Sequence, residues 1–195
     1  MKDIGNIHPS ANISDGVLIY PSTRVWQHCI ILSGALIGTN CKLGHNVFVE
    51  GGVRIGNGVT IKDNVAIYEG VKLDDDVFIG PNVVFTNVRR PRAFRSGKEA
   101  FLPTNLACGA TIGANATIVC GVKVGRYAMV GAGAVVTRDV VDHALVTGNP
   151  ARRSGWVSMS GHTLNDDFRC PETGVQYRKE ESGLVSLDDT MRVTS

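Results

Sequence analysis

Aromatic residues are scarce in this chain: Phe, Tyr and Trp make up 6% of its 195 residues. A core built on large rings is excluded, so small and β-branched side chains must fill the interior. A dominant charge is missing too. Twenty Lys and Arg against 18 Asp and Glu leave a net charge of +2, which argues against nucleic acid or a membrane surface as the main partner. Residues 100–122 carry no charge, but Asn105, Asn115, three Thr and three Gly within them exclude a membrane span. No apolar stretch precedes Pro9, so no secretory leader is expected. The five cysteines (Cys29, Cys41, Cys108, Cys120, Cys170) are odd in number and form no CxxC pair. They read as reduced thiols of a cytoplasmic protein, and with only scattered histidines beside them no metal site is expected.

Glycine and valine are plentiful instead. The 23 glycines are about 12% of the chain, against a usual ~7%. With 43% hydrophobic residues there is enough apolar material for a core, and a disordered chain is excluded. Many short strands joined by tight corners are expected.

A period of six organises the chain. Ile7, Ile13, Ile19, Val25, Ile31, Ile37, Leu43, Val49, Ile55, Ile61, Ile67, Leu73, Ile79 and Phe85 are spaced by six, and all are large and apolar. Four residues after each anchor stands a small or β-branched side chain, from Ala11 and Val17 through Val83. Glycine follows several anchors, as at Gly38, Gly44, Gly56 and Gly80. The pattern resumes at Leu106 and runs through Ile112, Ile118, Val124, Val130 and Val136. The gap from Phe85 to Leu106 is 21 residues, not a multiple of six, so a loop must leave the repeat there. This is the hexapeptide signature of an all-β, parallel β-helix. Three hexads make one coil, so about seven coils are expected over residues 1–150, with an excursion at 88–105. Residues 151–195 read as a C-terminal extension, in which 170–177 form a turn between two short β-like stretches, a hairpin in prospect.

Residues 18 apart stack directly above one another, so columns can be read from the sequence. One column holds His28, Asn46, Asn64 and Asn82. The column beside it holds Gln27, His45, Asp63 and Pro81. Asn suits strained corners, and stacked Asn rungs can satisfy one another. The alternative is a polar wall that grips a ligand rich in hydroxyls, such as a sugar. The next face carries Glu50, Tyr68 and Thr86, with Asn87 beside Thr86. The loop then presents Arg89, Arg90, Arg92, Arg95 and Lys98, which suit phosphate or carboxylate as well as solubility. A second basic group near the C-terminal coils includes Lys123, Arg126, Arg138, Arg152 and Arg153.

Three motifs carry a more specific resemblance: Phe85-Thr-Asn-Val88 followed by Pro91-Arg92, Gly148-Asn-Pro-Ala-Arg152 with Ser154-Gly-Trp156, and Cys170-Pro-x-Thr-Gly-x-x-Tyr177. Over residues 7–178 the sequence resembles the bacterial hexapeptide-repeat N-acetyltransferases of nucleotide-linked amino sugars, in particular the branch acting on UDP-2-acetamido-3-amino-2,3-dideoxy-glucuronate. The resemblance implies a left-handed β-helix, acetyl-CoA as co-substrate without a metal, and a homotrimer with its sites between subunits. It also implies a place in O-antigen synthesis. It maps the asparagine that contacts the sugar amine onto Asn87, and further acceptor contacts onto Asn64, Tyr68 and Arg92. The family tends to carry His where Gln27 stands and Gln where His45 stands, and the loop is more basic here than is usual. Asn82 replaces a smaller residue. These departures touch the sugar more than the reaction.

The resulting expectation is transfer of an acetyl group from acetyl-CoA to the amine of a nucleotide-diphosphate amino sugar. Asn87 would hold the amine, because Asn cannot accept a proton at neutral pH. His45 is the candidate base. Gln27, His28, Asn46, Asn64, Tyr68, Asn82 and Arg92 would line the acceptor site. The basic C-terminal group suits the phosphates of coenzyme A, and Gly131, Arg138, Arg152 and Arg153 are the expected contacts there. The rival readings are an acetyltransferase for another small acceptor, a zinc hydrolyase, and a non-catalytic β-helix. The hydrolyase would need three converging histidines, and only His28 and His45 are close in this pattern.

Overall fold

A computed structural model describes residues 6–94, 97 and 100–188. Arg95 and Lys98 of the basic loop lie outside the described residues, as do the first five residues, on which the expectation about a leader partly rests. The chain winds as a parallel β-solenoid of about seven turns, the architecture of hexapeptide-repeat left-handed β-helices. Its strands are mostly two residues long. They run from β1 (Asn12–Ile13), β2 (Leu18–Ile19) and β3 (Arg24–Val25) in the first coil to β17 (Lys123–Val124), β18 (Met129–Val130) and β19 (Val135–Val136) in the last complete one.

Each strand supplies one outward residue and then an anchor, so a two-residue strand suffices. Ile30 pairs with Phe48 outside while Ile31 pairs with Val49 inside. The anchors from Val25 onward are buried to 2% or less until the last coil is complete. Ile7, Ile13 and Ile19 are only partly buried, because no coil lies beneath them. The small column works as expected. Where it is polar it bonds to the wall: Thr23 Oγ1 donates to the Gly38 carbonyl at 2.7 Å, and the thiols of Cys29 and Cys41 donate to the carbonyls of Gly44 and Gly56. Burial pushes both thiols above their ordinary pKa, so they stay protonated hydrogen-bond donors. All five cysteines are free.

The inserted loop can be measured from the register. Ile61 pairs with Ile79 at the usual spacing of 18, but Ile79 pairs with Ile112, 33 residues on. Fifteen residues are therefore inserted. The chain leaves after β13 (Val84–Phe85) and returns in β14 (Thr104–Leu106), so Thr104 and Asn105 are already back in the sheet.

Each coil has three corners, and most of them hold a residue in the left-handed region. One column is mainly glycine: Gly16, Gly34, Gly52, Gly70 and Gly121. A second holds His28, Asn46, Asn64, Asn82, Asn115 and Gly133. The third holds Ser22, Asn40, Gly58, Asp76, Gly109, Tyr127 and His143. The face between the asparagine and glycine corners carries β4 (Ile30–Ile31), β7 (Phe48–Val49), β10 (Ala66–Ile67), β13 and β16 (Thr117–Ile118). Its ladder splits between β10 and β13, giving sheets β1-β4-β7-β10 and β13-β16-β19, whereas the other two faces run unbroken.

After the last coil, β20 (Ala144–Thr147) turns back into antiparallel β21 (Arg152–Trp156), which covers the sheet edge. The extension then forms a tight turn at 170–174, flanked by an antiparallel bridge from Arg169 to Gln176, and the hairpin of β22 (Tyr177–Glu180) and β23 (Gly183–Ser186). Its small core centres on Leu164, Cys170, Val175, Tyr177 and Leu184. Burial pushes the Cys170 thiol up, but hydrogen bonds from Ser158, Thr173 and Ser160 outweigh this and bring it down to about 6. His143 joins this extension to the solenoid. Its ring stacks on Tyr127 at 5.3 Å, meets Tyr177 edge-on at 5.0 Å, and its Nδ1 lies 2.9 Å from the Val157 carbonyl.

Candidate active site

The asparagine corner is a continuous ladder. Asn46 Nδ2 donates to Asn64 Oδ1 at 3.2 Å, and Asn64 Nδ2 donates to Asn82 Oδ1 at 3.1 Å. All three have φ near +60°, a conformation that Asn tolerates better than most residues. These side chains are thus occupied by one another, which is the corner-rung alternative read from the sequence. Their amides still present free edges to solvent. Below them the rings of His28 and His45 meet edge-on at 5.4 Å. His45 is exposed, and its backbone N–H donates to Asp63 Oδ1 at 2.8 Å. Gln27 is half-buried beside His28 and accepts from the Asn46 N–H through its own carbonyl.

The loop leaves from the glycine corner, at the opposite edge of the split face. Asn87 sits at its root, half-buried, and its carbonyl accepts from the Leu102 N–H at 3.0 Å. Val88 and Phe101 form an antiparallel bridge just above, so the two legs of the loop run side by side. Thr86 Oγ1 accepts from the Cys120 N–H at 2.9 Å, which fixes the outgoing leg to the wall. Arg89 reaches the Cys120 carbonyl, while Arg90 and Arg92 are exposed and Phe94 is 82% exposed. Tyr68 projects from the same face one coil below Thr86 and packs near Phe48.

Within one chain, then, Asn87 and Tyr68 lie at one edge of the face, and Arg92 lies in the exposed loop that leaves there. Gln27, His28, His45, Asn46, Asn64 and Asn82 gather at the other. A residue that the sequence reading passed over joins the first group. Glu69 lies one coil below Asn87, and its N–H donates to Glu50 Oε2 at 2.9 Å. The 18-residue spacing could have found it. A groove of about 570 Å³ lies here, lined by Ser14, Leu32, Ser33, Glu50, Gly51, Gly52 and Glu69. Gly51 cannot carry a side chain, because a Cβ would stand 2.7 Å from the Ser33 carbonyl oxygen.

The C-terminal basic group also splits. Arg152 and Arg153 lie on β21, and the Arg153 guanidinium stacks 4.4 Å above the Trp156 ring. The Ala151 N–H donates to the Val135 carbonyl at 2.8 Å, which holds this strand start against β19, and β19 leads directly to exposed Arg138. Gly131 lies one rung below Thr147, where a Cβ would meet Thr147 Cγ2 at 2.9 Å. Arg126 is tied instead to Asp142 at 2.9 Å. The exposed guanidiniums of Arg138, Arg152 and Arg153 suit an anionic ligand. Among the described residues no group of three or more His, Cys, Asp or Glu is placed to hold a metal. No helix among them is long and apolar enough to cross a membrane.

The coils match models of the hexapeptide repeat. Residues 52–87 and 103–138 match the bacterial transferase hexapeptide (six repeats) family, and residues 34–69 match the hexapeptide repeat of succinyl-transferase. A dTDP-3-amino-3,6-dideoxy-alpha-D-galactopyranose 3-N-acetyltransferase of Aneurinibacillus thermoaerophilus is 46% identical over 90 residues, 45% of this chain and 46% of that protein. The chain spans less than half the length of the curated relatives it matches. A hexapeptide-repeat acetyltransferase of Vibrio cholerae, solved with acetyl coenzyme A, is 29% identical with a TM-score of 0.57, over 64% of this chain and 72% of that one. A maltose O-acetyltransferase of Clostridium difficile shares the fold at 21% identity and a TM-score of 0.56, over 63% of this chain and 69% of that one. The amino-sugar N-acetyltransferase resemblance of the motifs therefore agrees with a relative that is named for a dTDP-linked, not a UDP-linked, sugar.

Proposed function

We propose that this chain is an acetyl-CoA-dependent N-acetyltransferase acting on the amine of a nucleotide-diphosphate amino sugar, with a 3-amino sugar as the acceptor. The observation that carries the reading is the 46% identity over 90 residues to a protein named for 3-N-acetylation of a dTDP-linked 3-amino sugar. The reading includes a homotrimer, a cytoplasmic location and a role in bacterial surface polysaccharide synthesis. It includes no nucleic-acid or membrane partner. The trimer has a physical motive. The edge with His45 and Asn64 and the edge with Asn87 are the two edges of one face, so a neighbouring subunit packed on that face can bring one edge of each chain into a shared cleft.

In this cleft the neutral amine attacks the thioester carbon directly. Holding both partners in one orientation supplies much of the rate, and backbone N–H groups steady the oxyanion. Asn87 orients the amine. His45, on the facing wall, is a titratable group that could take the proton. Arg92 pairs with the diphosphate or a sugar carboxylate. Arg138, Arg152 and Arg153 receive the phosphates of coenzyme A, with Gly131 beneath its chain.

The test is an acetyl-transfer assay over UDP- and dTDP-linked amino sugars. Asn87→Ala should lower turnover by about 10²-fold through lost orientation, with an unchanged melting temperature. Full activity in that variant would remove Asn87 from the site. Turnover only with a non-nucleotide acceptor would redirect the reading to another small-molecule acetyltransferase.

A further inference from the structure

The five histidines of the chain divide into two kinds. His8, His143 and His162 each have a ring nitrogen engaged, with Ser10 Oγ at 2.9 Å, the Val157 carbonyl at 2.9 Å and Glu172 Oε2 at 3.0 Å. His28 and His45 are exposed, and among the described residues their ring nitrogens have no hydrogen-bond partner. What each ring has instead is the other. The centroids lie 5.4 Å apart and the planes cross at 84°. That is an edge-to-face pair, within the ~4.5–7 Å over which such rings attract.

The backbone under both rings is fixed. The His28 N–H donates to Ser10 Oγ at 3.1 Å. The His45 N–H donates to Asp63 Oδ1 at 2.8 Å, and the His45 carbonyl accepts from the Asn64 N–H at 3.0 Å. The freedom left to His45 is therefore rotation of its side chain, and the His28 ring is the ring that meets it. The corner alone does not explain a histidine at position 28. Asn46, Asn64 and Asn82 fill the same column with φ of 58°, 60° and 57°, against 59° for His28. Asn at position 28 would suit that torsion and could extend the ladder. The ring is what such a change would lose.

We infer that His28 is a positioning residue for His45, holding its imidazole in the orientation that takes the proton from the attacking amine. The inference rests on the acetyltransferase reading, with His45 as its base. As the new N–C bond forms, the amine nitrogen becomes positive, and one of its protons passes to the unprotonated ring nitrogen of His45. The C–S bond then breaks, and the departing thiolate of coenzyme A takes that proton from the imidazolium. His45 returns to its neutral state, and the products are the amide and the free thiol. His28 exchanges no proton in this sequence. Its ring narrows the rotation of a side chain that no hydrogen bond holds, and a proton acceptor works only when it is aimed.

The experiment measures kcat and KM for the wild-type chain, His28→Asn, His28→Phe, His45→Gln and the double variant His28→Asn/His45→Gln. The substrates are acetyl-CoA and a panel of UDP- and dTDP-linked 3-amino sugars. His45→Gln should lower kcat by about 10²-fold. His28→Asn should lower it by about 2- to 12-fold, the range of an edge-to-face ring pair, with both KM values unchanged and a melting temperature no lower than the wild type. In the His45→Gln background His28→Asn should cost nothing more, because it acts only through His45. His28→Phe keeps a ring edge without a nitrogen and should restore most of the lost kcat, with a lower melting temperature because Phe suits the left-handed region poorly. Three results would each overturn the inference while the acetyltransferase reading stands: a wild-type kcat in His28→Asn, an equal loss in the His45→Gln background, or a His28→Phe variant as slow as His28→Asn. Full turnover in His45→Gln would do the same. Absence of turnover by the wild-type chain on every amino sugar would overturn that reading and the inference with it.

Discussion

Two corners of the same prism solve one backbone problem differently. At the asparagine corner, Asn46, Asn64 and Asn82 take up the left-handed conformation and bond to each other. At the glycine corner, Gly34, Gly52 and Gly70 take up the same conformation with no side chain. The first corner is closed by its own ladder. The second leaves room, and it is there that the 15-residue loop departs, the strand ladder splits and a groove opens. A shared left-handed backbone therefore does not mean a shared use. Side chains that satisfy one another make a wall, and their absence makes a place where another segment or a ligand can approach.

The difference can be probed at both corners. The largest effect is expected on the loop side. Arg92 is exposed, with one guanidinium N–H donating to the Pro91 carbonyl. Arg92→Ala should raise the KM for the sugar by about 10- to 150-fold, the range of a charge-assisted contact worth ~1.5–3 kcal/mol, and barely change that for acetyl-CoA. Equal losses for both substrates would separate the loop from the acceptor. At the ladder, Asn64→Ala removes two rung bonds and places a residue that dislikes this torsion. A loss of about 2 kcal/mol in denaturant unfolding is expected, and Asn64→Gly, which relieves the torsion, should lose about 1 kcal/mol. If both variants lose the same amount, torsion plays no part in the choice of Asn. At the glycine corner a Cβ on Gly52 would meet nothing within 4 Å. Gly52→Ala should then cost only the torsional strain, about 1 kcal/mol, and Gly52→Asn less. A larger loss for Asn would mean that the groove cannot hold an extra side chain.

The smallest effect is expected where the solenoid meets the extension. Burial pushes the pKa of His143 below its ordinary value of 6.5, with opposing contributions from the Val157 carbonyl and Asp142. A depressed folded pKa means that His143 contributes stability fully above pH 6.5. As pH falls below that value the unfolded chain gains a proton that the folded chain resists, so stability declines until the folded pKa is passed. Thermal unfolding between pH 7.5 and 5 should show this decline, and His143→Asn should flatten it. An unchanged slope would place the pH-sensitive group elsewhere.

The coil was legible because its cause is local and repeated. One anchor and one small residue per hexad, from Val25 through Val136, are what a narrow triangular core requires, and the structure buries them as the period of six demands. The loop could be placed because its length breaks that period. The columns were also legible, since a fixed coil length turns sequence spacing into stacking. What spacing could not give is which way a stacked side chain is engaged. His28, Asn46, Asn64 and Asn82 form a column in either reading, and only the hydrogen bonds reveal the ladder. Glu69 shares the 18-residue spacing of Asn87, and only the structure shows the groove that it lines. In the extension, the turn at 170–174 could be anticipated from Pro171, Thr173 and Gly174. The gathering of Ser158, Ser160 and Thr173 around Cys170 joins two distant turns and has no period to announce it.

By itself the sequence determined the solenoid, its number of turns and the point where the loop leaves, because each depends on residues near one another in the chain. The tertiary structure decided that His45 and Asn87 stand at opposite edges of one face. It also decided that the ladder parts below the loop and that the last coil is tied to the extension through His143. Those outcomes depend on where strands of different coils come to rest and on which polar groups they leave unpaired, and contacts of that range are set by packing, not by spacing.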